Sequence, residues 1–277
     1  MISMTSQGRA FGIASPVLQW MGLDPSPSIH DRIRAGMHLF AVLPRLTDVV
    51  RHDEEGRRIA DKMRVSIEFR VLNGPRVVLS FADGRIKTRS EGKSDLGLLF
   101  TSCAQLNNMF DGRKVLPIPF KGLHKAGELS RLTRLTEILT RYLKPSDTDM
   151  QSPRFRESHV EMSLLVGLSA TQQIALQDPR AERIANHLPN GTIQYIILDG
   201  PACHVVLEDG LIEARSGTIA DPTTTIEIQD IDLAVSLIKG EVDTFAANGS
   251  GAIKASGSLV LADEFNTLFD RVGHYLQ

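Results

Sequence analysis

The chain contains one segment of itself twice, and this repetition limits the possible folds more than any local pattern does. Asn73-Gly74-Pro75 through Ser90 aligns without gaps on Asp199-Gly200-Pro201 through Ser216, with seven of the eighteen positions identical. Ordinary composition gives roughly one identity in such a window. Nearby, Arg58-Ile59-Ala60-Asp61 answers Arg183-Ile184-Ala185-Asn186, and Tyr142-Leu143 answers Tyr275-Leu276. Such a long period implies two complete units. The 277 residues therefore divide into an N-terminal arm (1–27), a first unit (28–143), a linker (144–155) and a second unit (156–277). The linker is polar and carries Pro145 and Pro153, the chemistry of a connection.

Within each unit the turns and periodicities are readable. Ser28 stands three residues before Asp31 at capping-box spacing, ahead of Ile33, Met37, Phe40 and Leu43 on one helical face, with Pro44 kinking or ending the helix. Met162, Leu165, Val166, Leu168 and Ile174 give the second copy its equivalent helix. Strands separated by Asx-Gly turns follow, an antiparallel meander. Period-2 parity places Ile193, Tyr195, Ile197, Cys203, Val205, Leu207, Ile226 and Ile228 on one apolar face, and Ile67, Phe69, Val71, Val77, Leu79 and Phe81 on the same face of the first copy. Asp230 caps a short helix that Gly240 stops, with Leu233, Leu237 and Ile238 as its inner stripe. A Gly-rich strand and an amphipathic helix bearing Leu261, Phe265, Leu268, Phe269 and Val272 complete the unit. The expected fold class is α+β: two tandem units, each an antiparallel sheet covered by helices on one face.

The order Thr223 to Ile228, Asp232 to Gly240, Phe245, then Gly251-Ala-Ile-Lys-Ala-Ser-Gly257 and Leu261 resembles the sterol carrier protein type two family. The first copy follows the pattern less closely, because Val115-Leu-Pro117-Ile-Pro119-Phe120 replaces the Gly-rich strand. The resemblance implies an apolar tunnel between sheet and helices that takes up a sterol, fatty acid or acyl-CoA ester. It assigns the ligand-lining role to Val205, Leu207, Ile226, Leu233, Leu237, Phe245, Phe265 and Phe269, and it implies lipid transport, with handover to enzymes of lipid metabolism.

Composition narrows the remaining classes. Apolar residues make up 42% and charged residues 23%, as in ordinary packed proteins, and the net charge of −2 offers nothing to nucleic acid. Beneath that average, residues 1–145 hold 23 basic and 14 acidic side chains, and residues 146–277 hold 8 and 19. Opposite fields of this size predict that the halves dock, within one chain or in a head-to-tail homodimer, and separate as salt rises. Cys103 and Cys203 form no disulfide or zinc pattern, which fits a reducing cytoplasm. No leader and no run of ~20 apolar residues is visible, so no integral membrane association is expected. The eight histidines show no ligand spacing, and no catalytic triad, metal cluster or cofactor fingerprint appears. The expectation is a carrier without cofactor, metal or catalytic residues; the alternative is an enzyme acting on a hydrophobic, steroid- or polyketide-like substrate, with its site in or between the units.

Overall fold

The computed structural model describes residues 28–242 and 244–276, save the side chains of residues 126, 244–246 and 276. The expected N-terminal arm at 1–27 lies outside the described residues. The first unit runs α1 (Ile29–Met37), a π-helical and 3-10 stretch (His38–Arg45), α2 (Leu46–His52), α3 (Glu54–Asp61), β1 (Val65–Val71), β2 (Arg76–Ala82), β3 (Arg85–Arg89), β4 (Leu96–Phe100), α4 (Cys103–Phe110), β5 (Ile118–Lys121) and α5 (Ala126–Leu143). The second repeats the order of strands, with one long helix at its start and an added short helix before its last strand: α6 (Pro153–Gln177), α7 (Pro179–His187), β6 (Gly191–Ile197), β7 (Ala202–Glu208), β8 (Leu211–Ser216), β9 (Thr224–Ile228), α8 (Ile231–Ile238), α9 (Thr244–Gly249), β10 (Ile253–Gly257) and α10 (Leu259–Leu276).

Both units are α+β, with strand orders β3-β2-β1-β4-β5 and β10-β9-β6-β7-β8. The sheets are mixed rather than wholly antiparallel, since β1 pairs β4 and β6 pairs β9 in parallel. The cause is a crossing on the face away from the helices. Ser94 donates to Glu68 at 2.8 Å and Ser66 N–H donates to Asp95 at 2.8 Å, so the polar loop before β4 is stitched over the sheet. In the second unit Ile219 N–H donates to Gln194 at 2.7 Å, and His204 Nδ1 lies 2.8 Å from the Gly217 carbonyl. The hairpins close as the sequence requires: Asp83-Gly84 and Asp209-Gly210 all have positive φ, between 50° and 78°, the type I′ geometry that Asx-Gly favours.

Ser28 caps α1 through a 3.0 Å bond from Asp31 N–H. Pro44 does not end that segment. The chain widens to a π-helix at His38–Val42 and tightens to a 3-10 turn at Leu43–Arg45, which absorbs the missing donor before α2 begins. The expected single face also splits: Ala35, Leu39 and Leu43 belong to the first core, whereas Ile33, Met37 and Ala41 are buried in the second. In return α6 sends Met162 into the first core and Leu165, Leu168 and Ile174 into the second. Two helices thus form a layer shared by both sheets. The 144–155 stretch contains a 3-10 turn at Asp149–Gln151 and, from Pro153, the first turn of α6, whose Ser152 cap and N-terminal proline suit a helix start.

Candidate functional site

The inner faces of the two sheets occupy equivalent registers, yet they are closed differently. Phe69 pairs with Leu98 on β1 and β4, and both are buried, as is Leu106, four residues after the Ser102 cap of α4. At the same places the second unit has Tyr195, Ile226 and Ala234. Tyr195 and Ile226 remain half-buried, and the helix position has lost most of a leucine side chain. The first unit packs as one continuous cluster, whereas the second is divided between a main core and a smaller one under α8.

The eight expected lining residues distribute over this divide. Val205, Leu207 and Phe265 are buried in the main core, with Ile226 and Phe269 half-buried against it. Leu233 and Leu237 are half-buried against the smaller cluster of Val160, Ile197, Ile228, Ala234 and Val235. Leu164 of α6 touches both clusters. The side chain of Phe245 lies outside the described residues. Ala234 and Val235, rather than Leu233 and Ile238, supply the buried stripe of α8, and Ile238 is exposed. The Phe269 ring seats against Gly167, where a Cβ would stand 3.0 Å from the ring.

Tyr195 was visible in the sequence only as a member of the apolar face. Burial, helped by the nearby Asp270 carboxylate, pushes its hydroxyl well above the ordinary tyrosine range. A neutral hydroxyl among half-buried apolar groups gives this face a polar handle.

A second feature lies between the units. A cavity of about 330 Å³ is lined by His52, Arg154, Glu157, Ser158, Glu161 and the Asp199-Gly200-Pro201 turn, and it adjoins one of about 170 Å³ that reaches Tyr142 and Phe155. Glu161, from α6, accepts from Arg51 at 2.7 Å, lies 3.0 Å from His52 Nε2 and accepts from Ser216. Burial opposes its ionisation, but the His52 and Ser216 bonds and the Arg51 charge hold its carboxyl at about 2. Asp48 bonds Arg51 at 2.9 Å, and burial raises its carboxyl despite Arg45 and Arg51. Arg51 and His52 of the basic half thus pair with Glu161 of the acidic half.

Burial pushes the Cys103 thiol up to about 11 and the Cys203 thiol up to about 12, so both are inert hydrophobes at neutral pH. His204 faces away from the core, as strand parity requires. Among the described residues, no group of three or more His, Cys, Asp or Glu side chains could hold a metal ion, and no helix is long and apolar enough to cross a membrane.

No protein-family model and no curated protein matches the chain. Solved structures do. About two fifths of the chain is similar in fold to sterol carrier domains. A ubiquinone synthesis protein described as UbiJ-SCP2 is 14% identical over 39% of this chain and 96% of its own, with a TM-score of 0.31. Sterol carrier protein 2 like 2 from Aedes aegypti is 18% identical over 38% and 95%, with a TM-score of 0.28. The sterol carrier protein domain 2 of Helicoverpa armigera is 17% identical over 40% and 87%, with a TM-score of 0.32.

Proposed function

We propose that this chain binds a hydrophobic ligand, such as a sterol, fatty acid or acyl-CoA ester, on the inner face of its second unit and presents it to enzymes of lipid metabolism. The observation that supports this reading is the asymmetry between equivalent positions: Phe69, Leu98 and Leu106 are buried in the first unit, while in the second Tyr195 and Ile226 are half-buried and Ala234 is a smaller side chain. An acyl chain entering that face exchanges water for Ile226, Leu233, Leu237 and Phe269, and each buried CH₂ contributes about 0.8 kcal/mol. The first unit, 28–143, acts as the buttress for the second, 156–277. A reducing cytoplasmic setting goes with Cys103 and Cys203, which are buried and unpaired. Fluorescent fatty-acid titration of the Leu237→Trp and Met109→Trp variants tests the assignment. Uptake should be lost in the first and kept in the second; the opposite pattern moves the ligand to the first unit.

One observation favours the second reading, an enzyme with its site between the units. His52 and Glu161 stand 3.0 Å apart on the wall of a polar cavity, a geometry suited to proton transfer. Turnover of a hydrophobic ester or acyl-CoA that disappears in His52→Gln, with ligand uptake unchanged, would establish it.

A further inference from the structure

The units diverge most between their fourth strand and their last helix. The edge strand of the second unit, β10, exposes only Lys254, Ala255, Ser256 and Gly257. The corresponding stretch of the first unit places four large apolar side chains in solvent within one short segment: Leu116 is 89% exposed, Ile118 49%, Phe120 42% and Leu123 66%. Basic groups alternate with them. Arg113, Lys114, Lys121 and His124 are exposed, and residues 112–127 contain no acidic side chain. Lys121 is bonded to the Ser94 carbonyl and Lys125 to Asp95, but Arg113 and Lys114 have no ion pair among the described residues.

The segment is held in place. The Phe120 ring covers Gly97 so closely that a Cβ there would come within 2.5 Å of it, and the Arg70 guanidinium sits 5.1 Å from the ring centroid. A preformed apolar patch loses little conformational freedom on docking. Pro117 and Pro119 remove backbone donors from this edge, so it is poorly built to receive an added strand. Exposed apolar side chains interleaved with unpaired cations match a surface that is apolar beneath an anionic layer. The net charge of −2 does not oppose this, because at roughly 0.15 M salt a surface senses charges only within about 8 Å.

We infer that the β5 edge of the first unit is a docking surface for an anionic lipid bilayer, with Leu116, Ile118 and Leu123 entering the headgroup region, Phe120 anchoring the segment to the sheet, and Arg113 and Lys114 meeting the lipid anions. It is a peripheral contact and does not depend on ligand in the second unit. Co-sedimentation of the full chain with phosphatidylserine–phosphatidylcholine vesicles, and with phosphatidylcholine alone, tests it. Binding should require phosphatidylserine and weaken with salt. Arg113→Glu/Lys114→Glu should lower it at least about tenfold, since each cation lost contributes about fivefold. Leu116→Ser/Leu123→Ser should lower it similarly, with both variants keeping the parental melting temperature. Equal binding without phosphatidylserine, or binding that survives both variants, overturns the inference. So does the absence of binding at low salt, and so does a dimer in sedimentation velocity that Leu116→Ser/Leu123→Ser dissociates while no vesicle is bound.

Discussion

Tyr275 near the end of the last helix donates its hydroxyl to Asp178 at 2.8 Å, tying α10 back to the start of α7. Asp178 also caps α7 through Arg180 N–H at 2.8 Å and receives Arg271. In the first unit Asp53 likewise caps α3, through Gly56 N–H at 2.8 Å, and Tyr142 stands at the place equivalent to Tyr275. In the second unit the repeated Tyr-Leu pair therefore lies at one end of a latch whose other end is the Asp178 cap.

Opening that latch should loosen the second unit. Asp178→Ala removes a cap worth about 1 kcal/mol and charge-assisted bonds worth about 1.5–3 kcal/mol, so a loss of about 3 kcal/mol is expected in urea unfolding. Tyr275→Phe should cost about 1 kcal/mol. Burial opposes the Asp178 charge, but the Arg271 and Tyr275 bonds hold the carboxyl at about 2, below its ordinary 3.8. A depressed folded value stabilises above the unfolded one, so this contribution is present above pH 4 and fades as pH falls toward 2. Asp178→Asn should lack that acid-side slope.

His38 provides a second pH dependence with a separate window. It lies at the start of the π-helical stretch, stacked on Phe110 at 4.4 Å, and both ring nitrogens are buried without a partner. Burial, reinforced by Arg34, lowers its value from 6.5 to about 4. The neutral form is the folded form, so stability is complete above 6.5 and is lost as pH falls toward 4, by about 3 kcal/mol. His38→Phe should flatten the stability profile between those limits.

Filling the second unit should make it resemble the first. Ala234→Leu restores the side chain that Leu106 supplies in the sealed unit. It is expected to raise stability by about 1 kcal/mol and to reduce hydrophobic-ligand uptake. Leu106→Ala, which opens a packed core, should cost about 2–5 kcal/mol.

The halves, cut between residues 144 and 152 and co-expressed, should remain together at low and high salt. This differs from the expectation from charge alone, which had salt separating them. Ile33, Met37 and Ala41 sit inside the second core, so apolar burial accompanies the ion pairs of Arg51 and His52 with Glu161. Dissociation on adding salt, read by gel filtration, would show that the charges dominate.

Much of this architecture was legible in the sequence. Asx-Gly pairs fix hairpin turns, and strand alternation correctly placed Ile193, Val205 and Leu207 inward because a pleat leaves each residue only two directions. Helical periodicity shows that Met37 and Met162 face a core but not which core, so the shared layer could not be read. The parallel pairing of β1 with β4 depends on a polar crossing loop with no periodic signal. Tyr195 and Ala234 became informative only when set beside Phe69 and Leu106, since openness is a difference between copies rather than a property of either residue.

Methyl-detected NMR of the full chain titrated with a fatty acid tests the central claim most directly, because it reads both inner faces at once. The account predicts one saturable site, with shifts at Ile226, Leu233 and Leu237 and none at Leu98 or Leu106. Shifts at Leu98 and Leu106 that leave Ile226 unmoved would contradict it.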